Sequence, residues 1–89
     1  MSTFLISYDL NKPGQDYDDL ISELKKFTTR WHRLDSTWIV VSDLKCAQIR
    51  DNLKVHIDSN DELLVVKLCG VGSWCGFDES GSKWLMDNI

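Results

Sequence analysis

The order in which strand patterns and helix patterns follow one another is the feature that most constrains this chain. Residues 30–43, RWHRLDSTWIVVSD, contain two short runs of aromatic and β-branched residues, which favour a pleated surface. Asp35 and Ser36 between the two runs are typical of a tight connection. The pattern therefore predicts a strand at 30–34 and a second strand at 37–42, with no helix between them.

A strand and a helix are predicted before these two strands. Residues 3–9, TFLISYD, alternate between two sides, which indicates a strand with both faces partly covered. The next segment, NKPG at 11–14, predicts a turn because proline fixes φ and glycine tolerates positive φ. Acidic residues followed by apolar residues at helical spacing then predict a helix over about 16–28.

A second helix and a last strand are predicted after the two central strands. Asp43 offers its carboxylate as the N-cap of a helix that ends near Val55. Residues 62–70, ELLVVKLCG, form the strongest strand pattern in the chain. The order strand, helix, strand, strand, helix, strand predicts a ferredoxin-like βαββαβ fold of the α+β class. In that fold, two helices cover one face of a four-stranded antiparallel sheet.

The length of 89 residues leaves room for one hydrophobic core, so residues 1–89 are expected to form a single domain. Its core is expected at about 3–69, followed by an aromatic C-terminal extension at 70–89. Because the extension carries five large apolar side chains, those of Trp74, Phe77, Trp84, Leu85 and Met86, we expect it to dock on its own sheet or on a partner subunit. The helix-free sheet face is also apolar, which predicts a homodimer through that face.

Composition excludes several classes of protein. The net charge of −4 and the pI near 4.9 oppose a diffuse positive field, so any contact with nucleic acid must be local. The sequence contains no apolar run that would span a membrane and no secretory leader, so we expect a cytoplasmic protein without a membrane partner. Three cysteines without a CxxC pair argue against a disulfide framework and predict free, buried thiols.

One local basic patch stands out against the acidic background. Lys25, Lys26, Arg30 and Arg33 surround Trp31 in the segment KKFTTRWHR. Cations of this kind neutralise phosphates, and an exposed tryptophan stacks on unpaired bases, so the patch is a candidate RNA-binding or DNA-binding site. The alternative is a solvated helix end whose lysines interact with the helix dipole, with the tryptophan packed in the sheet.

Three segments, ISYDL, DSTWIVVSD and DSNDELLVVKL, carry a resemblance to a known family. Over residues 3–68 the chain resembles the SinR-type relatives of the CRISPR-associated Cas-two proteins, a ferredoxin-like group that also includes the GhoS endoribonuclease antitoxin. The resemblance implies a dimer formed through the sheets and, in several members, a metal-dependent nuclease. The arginine-rich surface of the DNA-bridging members is missing here, and the extension after Gly70 has no counterpart that we can map.

The resemblance also assigns a role to Asp9, which matches the family's metal position and is expected to face its symmetry mate across the dimer interface. Two carboxylates brought together in this way suit Mg²⁺, so Asp9 is both the candidate metal ligand and the candidate catalytic residue. The alternative is that Asp9 ends its strand and caps the following turn. A second acidic group, Asp58 and Asp61, is better explained by the turn in which it lies.

Three functions from different classes follow from these observations. The first is a Mg²⁺-dependent endonuclease, a phosphodiesterase acting on RNA or DNA through Asp9. The second is a scaffold that binds nucleic acid or protein without catalysis. The third is a regulatory protein with a protein partner, either antitoxin-like or associated with defence.

Overall fold

The computed structural model describes residues 1–11 and 17–89, and most of the NKPG turn and Asp16 lie outside the described residues. The described chain is an α+β structure with one open four-stranded sheet and three helices. In chain order the elements are β1 (Ser2–Asp9), α1 (Asp18–Leu24), β2 (Arg30–Leu34), β3 (Thr37–Ser42), α2 (Cys46–Lys54), β4 (Glu62–Lys67) and α3 (Glu79–Asn88).

The sheet has the strand order β2-β3-β1-β4, and every neighbouring pair of strands is antiparallel. β1 is therefore a central strand, whereas β2 and β4 form the two edges. Along β1, residues 4, 6 and 8 are buried and the residues between them are more exposed, as expected when successive side chains point to opposite faces.

The main core fills the space between one sheet face and the first two helices. The residues of β1 and β3 that point to this face pack against apolar residues of α1 and α2. The buried members are Phe4, Ile6, Tyr8, Leu20, Leu24, Trp38, Val40, Ile49 and Leu53. These two helices therefore cover one face of the sheet and leave the opposite face to the rest of the chain.

The C-terminal segment, residues 68–89, packs on that opposite face. Trp31 of β2 and Ile39 of β3 form a second apolar cluster with Leu85 of α3. Partly buried residues of the same segment, including Trp74 and Phe77, complete the cluster. Since the segment lies over β2 and β3, the half of this face formed by β1 and β4 stays open. The aromatic C-terminal extension therefore docks on its own sheet, which is one of the two positions expected from the sequence.

The strands agree closely with the sequence-based prediction, and the helices agree less well. β2 and β3 have the predicted limits, but α1 is shorter than the predicted helix over 16–28. The predicted N-cap Asp43 is wrong, because Lys45 occupies the N-cap position of α2 and its backbone N–H donates to Gln48 Oε1 at 2.8 Å. The helix α3 was not predicted from the sequence.

The cysteines are free, as expected, but the expectation that they are buried is wrong. Cys46 is partly exposed, whereas Cys69 and Cys75 are exposed in the C-terminal segment. Both exposed thiols lie in a segment whose course over the sheet face could not be derived from the sequence.

None of the helices in the described part of the chain has the length and the apolar character that crossing a membrane requires.

Candidate functional site

Asp9 is the last residue of the central strand β1, and it is exposed. The alternation along β1 places it on the same face as Leu5 and Ser7, which is the face away from α1 and α2. The C-terminal segment does not cover this end of the strand. The candidate catalytic residue is thus open to solvent at one end of the sheet.

Glu62, the first residue of β4, lies directly opposite Asp9 in the β1–β4 register. Residues opposite one another in an antiparallel pair point to the same face, so the two carboxylates share a surface. Together with Ser7 and Leu64 they line a shallow depression of about 270 Å³. Glu62 could not be singled out from the sequence, because its position opposite Asp9 depends on a strand register that periodicity does not specify.

Two hydroxyl groups lie next to this carboxylate pair. Ser7 and Thr37 are opposite residues on β1 and β3, and their oxygens are 3.1 Å apart, in hydrogen-bond distance. Their position, on the face that Asp9 and Glu62 share, extends the polar surface from the end of β1 toward β3. The arrangement combines anionic oxygens with neutral hydroxyls, a donor set that suits a hydrated cation better than an anion.

The donor chemistry of the site suits magnesium, but one chain supplies only part of a coordination sphere. Mg²⁺ takes oxygen ligands in an octahedral arrangement, and it usually combines one or two carboxylates with water and substrate phosphate. Asp9 and Glu62 supply two carboxylates of this kind. Within residues 1–11 and 17–89 there is no group of three acidic, histidine or cysteine side chains that could hold a metal. A Mg²⁺ ion held by this pair would take its remaining ligands from water, a phosphate or a second chain.

The second acidic group serves the architecture of the loops. The carboxylate of Asp61 accepts hydrogen bonds from the backbone N–H of Asn11 at 2.8 Å and from that of Asp58 at 2.9 Å. It also accepts a hydrogen bond from the Tyr17 hydroxyl at 3.0 Å. These contacts join the loop after β1 to the loop before β4, so Asp61 helps to hold the ends of the strands that carry the carboxylate pair.

The basic patch lies at the end of α1, where two of its cations, Arg30 and Lys26, have partners within the chain. The Arg30 guanidinium donates to the carbonyl oxygens of Lys25 at 3.2 Å and Phe27 at 2.9 Å, just beyond the end of α1. Lys26 forms an exposed ion pair with Glu23 at 2.8 Å. A cation in these positions stabilises the negative end of the helix dipole. These contacts agree with the alternative interpretation of the patch, a solvated helix end whose cations interact with the helix dipole.

Trp31 does not have the exposure that base stacking needs. Only 4% of its surface is exposed, and its ring meets Phe77 edge to face, with the centroids 4.9 Å apart. The reason is the alternation along β2, which points Trp31 to the face that the C-terminal segment covers. The Arg33 side chain lies beside the same cluster, next to Gly81 of α3. Its Nε atom would be 3.2 Å from a Cβ atom built on Gly81. The expectation that Trp31 is exposed is therefore wrong, and its indole ring is not accessible for stacking on a base.

An aromatic stack on the helix side of the sheet escaped the sequence analysis. The His32 ring lies parallel to the Trp38 indole with the centroids 3.8 Å apart, and Trp38 Nε1 donates to the Tyr8 hydroxyl at 3.1 Å. Tyr8 directly precedes Asp9, so this stack fixes the strand end that presents the carboxylate.

The chain matches no model of a protein family and no solved structure.

Proposed function

We propose that this protein is a Cas-two-like, Mg²⁺-dependent endonuclease that hydrolyses phosphodiester bonds in RNA or DNA and uses Asp9 as a metal ligand. The observation that carries the proposal is the exposed pair of carboxylates, Asp9 and Glu62, on the open half of a sheet face. The YD pair that ends β1 is also the point at which the sequence resembles that family.

We propose further that the fold is ferredoxin-like, with α3 as an addition to the βαββαβ core. The strand order supports this, because β3 lies between β1 and β2 as a split βαβ unit requires. The cluster that joins α1 and α2 to one sheet face supports it as well. The C-terminal segment would then be a feature of this chain laid on the face that the two core helices leave free.

The dimer that the proposal needs would form through the open half of that face. Leu64 and Val66 are exposed there, and exposed apolar groups of this size favour association. A two-fold axis through this region would bring Asp9 of one chain toward Asp9 of the other, as the family resemblance implies. The two chains together would then offer four carboxylates, which is enough to complete a cation site.

The residues of the chain have defined tasks in this proposal. Asp9 and Glu62 would hold Mg²⁺, and the bound ion would neutralise phosphate charge and activate water. Without a cation the two carboxylates repel a phosphodiester, so substrate binding should itself depend on the metal. The hydroxyls of Ser7 and Thr37 are placed to donate hydrogen bonds to a phosphate oxygen beside the carboxylates.

A binding module that does not cleave is the second candidate, either a nucleic-acid-binding or protein-binding scaffold or a regulatory protein of the antitoxin or defence type. It is favoured by the small ligand set, since the described part of one chain offers no third metal-binding side chain beside Asp9 and Glu62. Under this hypothesis the open sheet face is a contact surface for a macromolecule, and the carboxylates are solvated strand ends.

The substitution Asp9→Asn separates these two functions. It keeps the size of the side chain but removes the charge that holds a hard cation, so we expect Mg²⁺-stimulated cleavage to fall by at least about 100-fold. Stability without metal should rise by roughly 0.2–1 kcal/mol, because like charges directly opposite in a sheet are destabilising. Cleavage of labelled RNA and DNA, with and without Mg²⁺, and thermal unfolding without metal measure the two effects.

The control is Asp51→Asn, which removes an exposed carboxylate of α2 that pairs with Arg50 and lies outside the site. It should cleave at the wild-type rate. If wild-type protein cleaves neither nucleic acid with Mg²⁺ or Mn²⁺, or if Asp9→Asn cleaves as fast as wild type, the endonuclease proposal is wrong and the binding module replaces it.

A further inference from the structure

A cleft of about 290 Å³ lies between the C-terminal segment and the sheet face opposite α1 and α2. Two partly buried aromatic side chains of the segment, Trp74 and Phe77, line this aromatic cleft, and Leu5 and Ile39 line it on the sheet side. None of the described side chains in the lining is charged. Since ligand pockets usually start at about 300 Å³, the size and the lining suit one small, uncharged group with an aromatic ring.

The aromatic cleft adjoins the depression that holds Asp9 and Glu62. Thr37 lines the cleft, and Ser7 lines the depression. These two residues are directly opposite one another in the β1–β3 register, and their hydroxyl oxygens are 3.1 Å apart. Asp9 lies two residues beyond Ser7 on the same face, a distance of about 7 Å along the strand. A ligand with its ring in the cleft therefore has its other end near the carboxylate pair.

The two concave surfaces differ in chemistry in the same way as the two ends of a nucleotide. The aromatic cleft suits a base, because unpaired bases stack on aromatic side chains. The ring available for stacking is that of Trp74, which is partly buried, and not that of the fully buried Trp31. The carboxylate pair suits a phosphate once a divalent cation is bound. A base in a duplex would have to leave its stack to enter the cleft.

We propose that the aromatic cleft binds one unpaired base of the nucleic acid whose phosphate lies at Asp9 and Glu62. The inference rests on the proposed function for the position of the phosphate, and it adds a base-binding subsite to which the C-terminal segment contributes both aromatic rings. Leu64 and Val66, whose exposed side chains would form the dimer contact, do not line the cleft. The base-binding subsite is therefore built from a single chain.

Thiol alkylation tests the cleft without any cleavage, because two exposed cysteines provide a signal and an internal control. Cys75 lines the aromatic cleft, whereas Cys69 does not. Adenosine monophosphate at about 1–10 mM, together with Mg²⁺, should slow the labelling of Cys75 by iodoacetamide and leave the labelling of Cys69 unchanged. Mass spectrometry measures both rates. Ribose phosphate, which keeps the phosphate but has no base, should protect neither thiol.

The uncharged nucleoside adenosine separates this inference from the proposed function. Without metal, adenosine should still protect Cys75, but at a higher concentration than adenosine monophosphate needs with Mg²⁺. If neither compound protects Cys75, no base occupies the cleft and the inference is wrong, even if the protein cleaves nucleic acid. If phosphate and Mg²⁺ add nothing to the protection by adenosine, the cleft is not part of the Asp9 site and the inference is also wrong. Protection by the nucleotide in a protein that cleaves nothing would support the subsite and contradict only the endonuclease proposal.

The variant Trp74→Ala removes one ring of the cleft, and Trp84→Ala is its matched control. Trp84 is also a partly buried tryptophan that packs on the same apolar cluster, but it does not line the cleft. Loss of the stacking ring should raise the concentration of adenosine monophosphate that half-protects Cys75 by at least about fivefold in Trp74→Ala. The same concentration should stay within about twofold of wild type in Trp84→Ala.

Trp74→Phe keeps an aromatic ring at this position and should bind adenosine monophosphate nearly as well as wild type. It therefore tests the subsite even if Trp74→Ala loosens the C-terminal segment. Equal weakening in Trp74→Ala and Trp84→Ala would mean that binding needs only a docked segment and not the Trp74 ring. That result, or wild-type binding by Trp74→Ala, would overturn the proposal.

Discussion

At the scale of single residues, the carboxylates of this chain divide into those that the fold uses and those that it leaves free. Asp61 accepts three hydrogen bonds, from Asn11, Asp58 and Tyr17, and thereby joins two loops. Asp9 and Glu62 are exposed at strand ends instead. In the sequence, carboxylates that the fold uses and carboxylates that it leaves free both lie in short polar segments. Only the strand register shows to which of the two groups each residue belongs.

Replacing Asp61 with alanine should therefore destabilise the protein although the residue is only partly buried. The change leaves two backbone N–H groups and the Tyr17 hydroxyl without their acceptor, and we expect a loss of about 1–3 kcal/mol in the free energy of unfolding. Urea denaturation measures it. Asp51→Ala, which removes only an exposed ion pair with Arg50, should cost less than about 1 kcal/mol. Equal losses in the two variants would contradict the role of Asp61 as a link between loops.

At the scale of secondary-structure elements, the sequence predicted those elements whose pattern is local. The limits of β2 and β3 were predicted correctly, because aromatic and β-branched runs separated by Asp35 and Ser36 mark a hairpin without reference to the rest of the chain. The helix α3, ESGSKWLMDN, was missed because glycine and serine lower its intrinsic helix propensity. Its stability comes from Leu85 packing against Trp31 and Ile39, a contact between distant parts of the sequence.

The N-cap residue of α3, Asp78, should make the docking of this helix depend on pH. A hydrogen bond from the Gly81 N–H at 2.7 Å, a second from the Ser80 hydroxyl and the nearby Arg33 hold the pKa of Asp78 below its ordinary value of 3.8. A lowered pKa stabilises the folded state above that ordinary value, and the contribution is lost as the pH falls through the folded pKa. Docking of α3 should thus weaken below about pH 4.

Tryptophan fluorescence during acid titration measures this loss, because Trp31 and Trp74 lie in the cluster that α3 covers. The control Asp78→Ser keeps a hydroxyl cap but has no group that titrates in this range. Its fluorescence should change less than that of wild type between about pH 5 and pH 2.5. Identical titration curves for the two proteins would mean that the Asp78 cap does not contribute to docking in acid.

At the scale of the whole molecule, one sheet is shared by two apolar clusters. β3 contributes Trp38 and Val40 to the cluster under α1 and α2, and Ile39 to the cluster under α3. The element order and the antiparallel sheet could be predicted from periodicity. The division of the second face into a covered half and an open half could not, because it depends on where residues 68–89 cross the strands. The burial of Trp31 and the exposure of Asp9 both follow from that division.

Because the clusters share β3, the two faces should unfold together. Leu85 of α3 is 2% exposed, so Leu85→Ala leaves a cavity on the second face and should cost about 2–5 kcal/mol, whereas Met86→Ala at the neighbouring exposed position should stay within about 0.5 kcal/mol of wild type. Urea unfolding followed by far-ultraviolet circular dichroism and by tryptophan fluorescence should give coincident transitions, shifted equally in Leu85→Ala. If fluorescence changes first, with most helical signal retained, the C-terminal segment unfolds separately and the sheet does not couple its two faces.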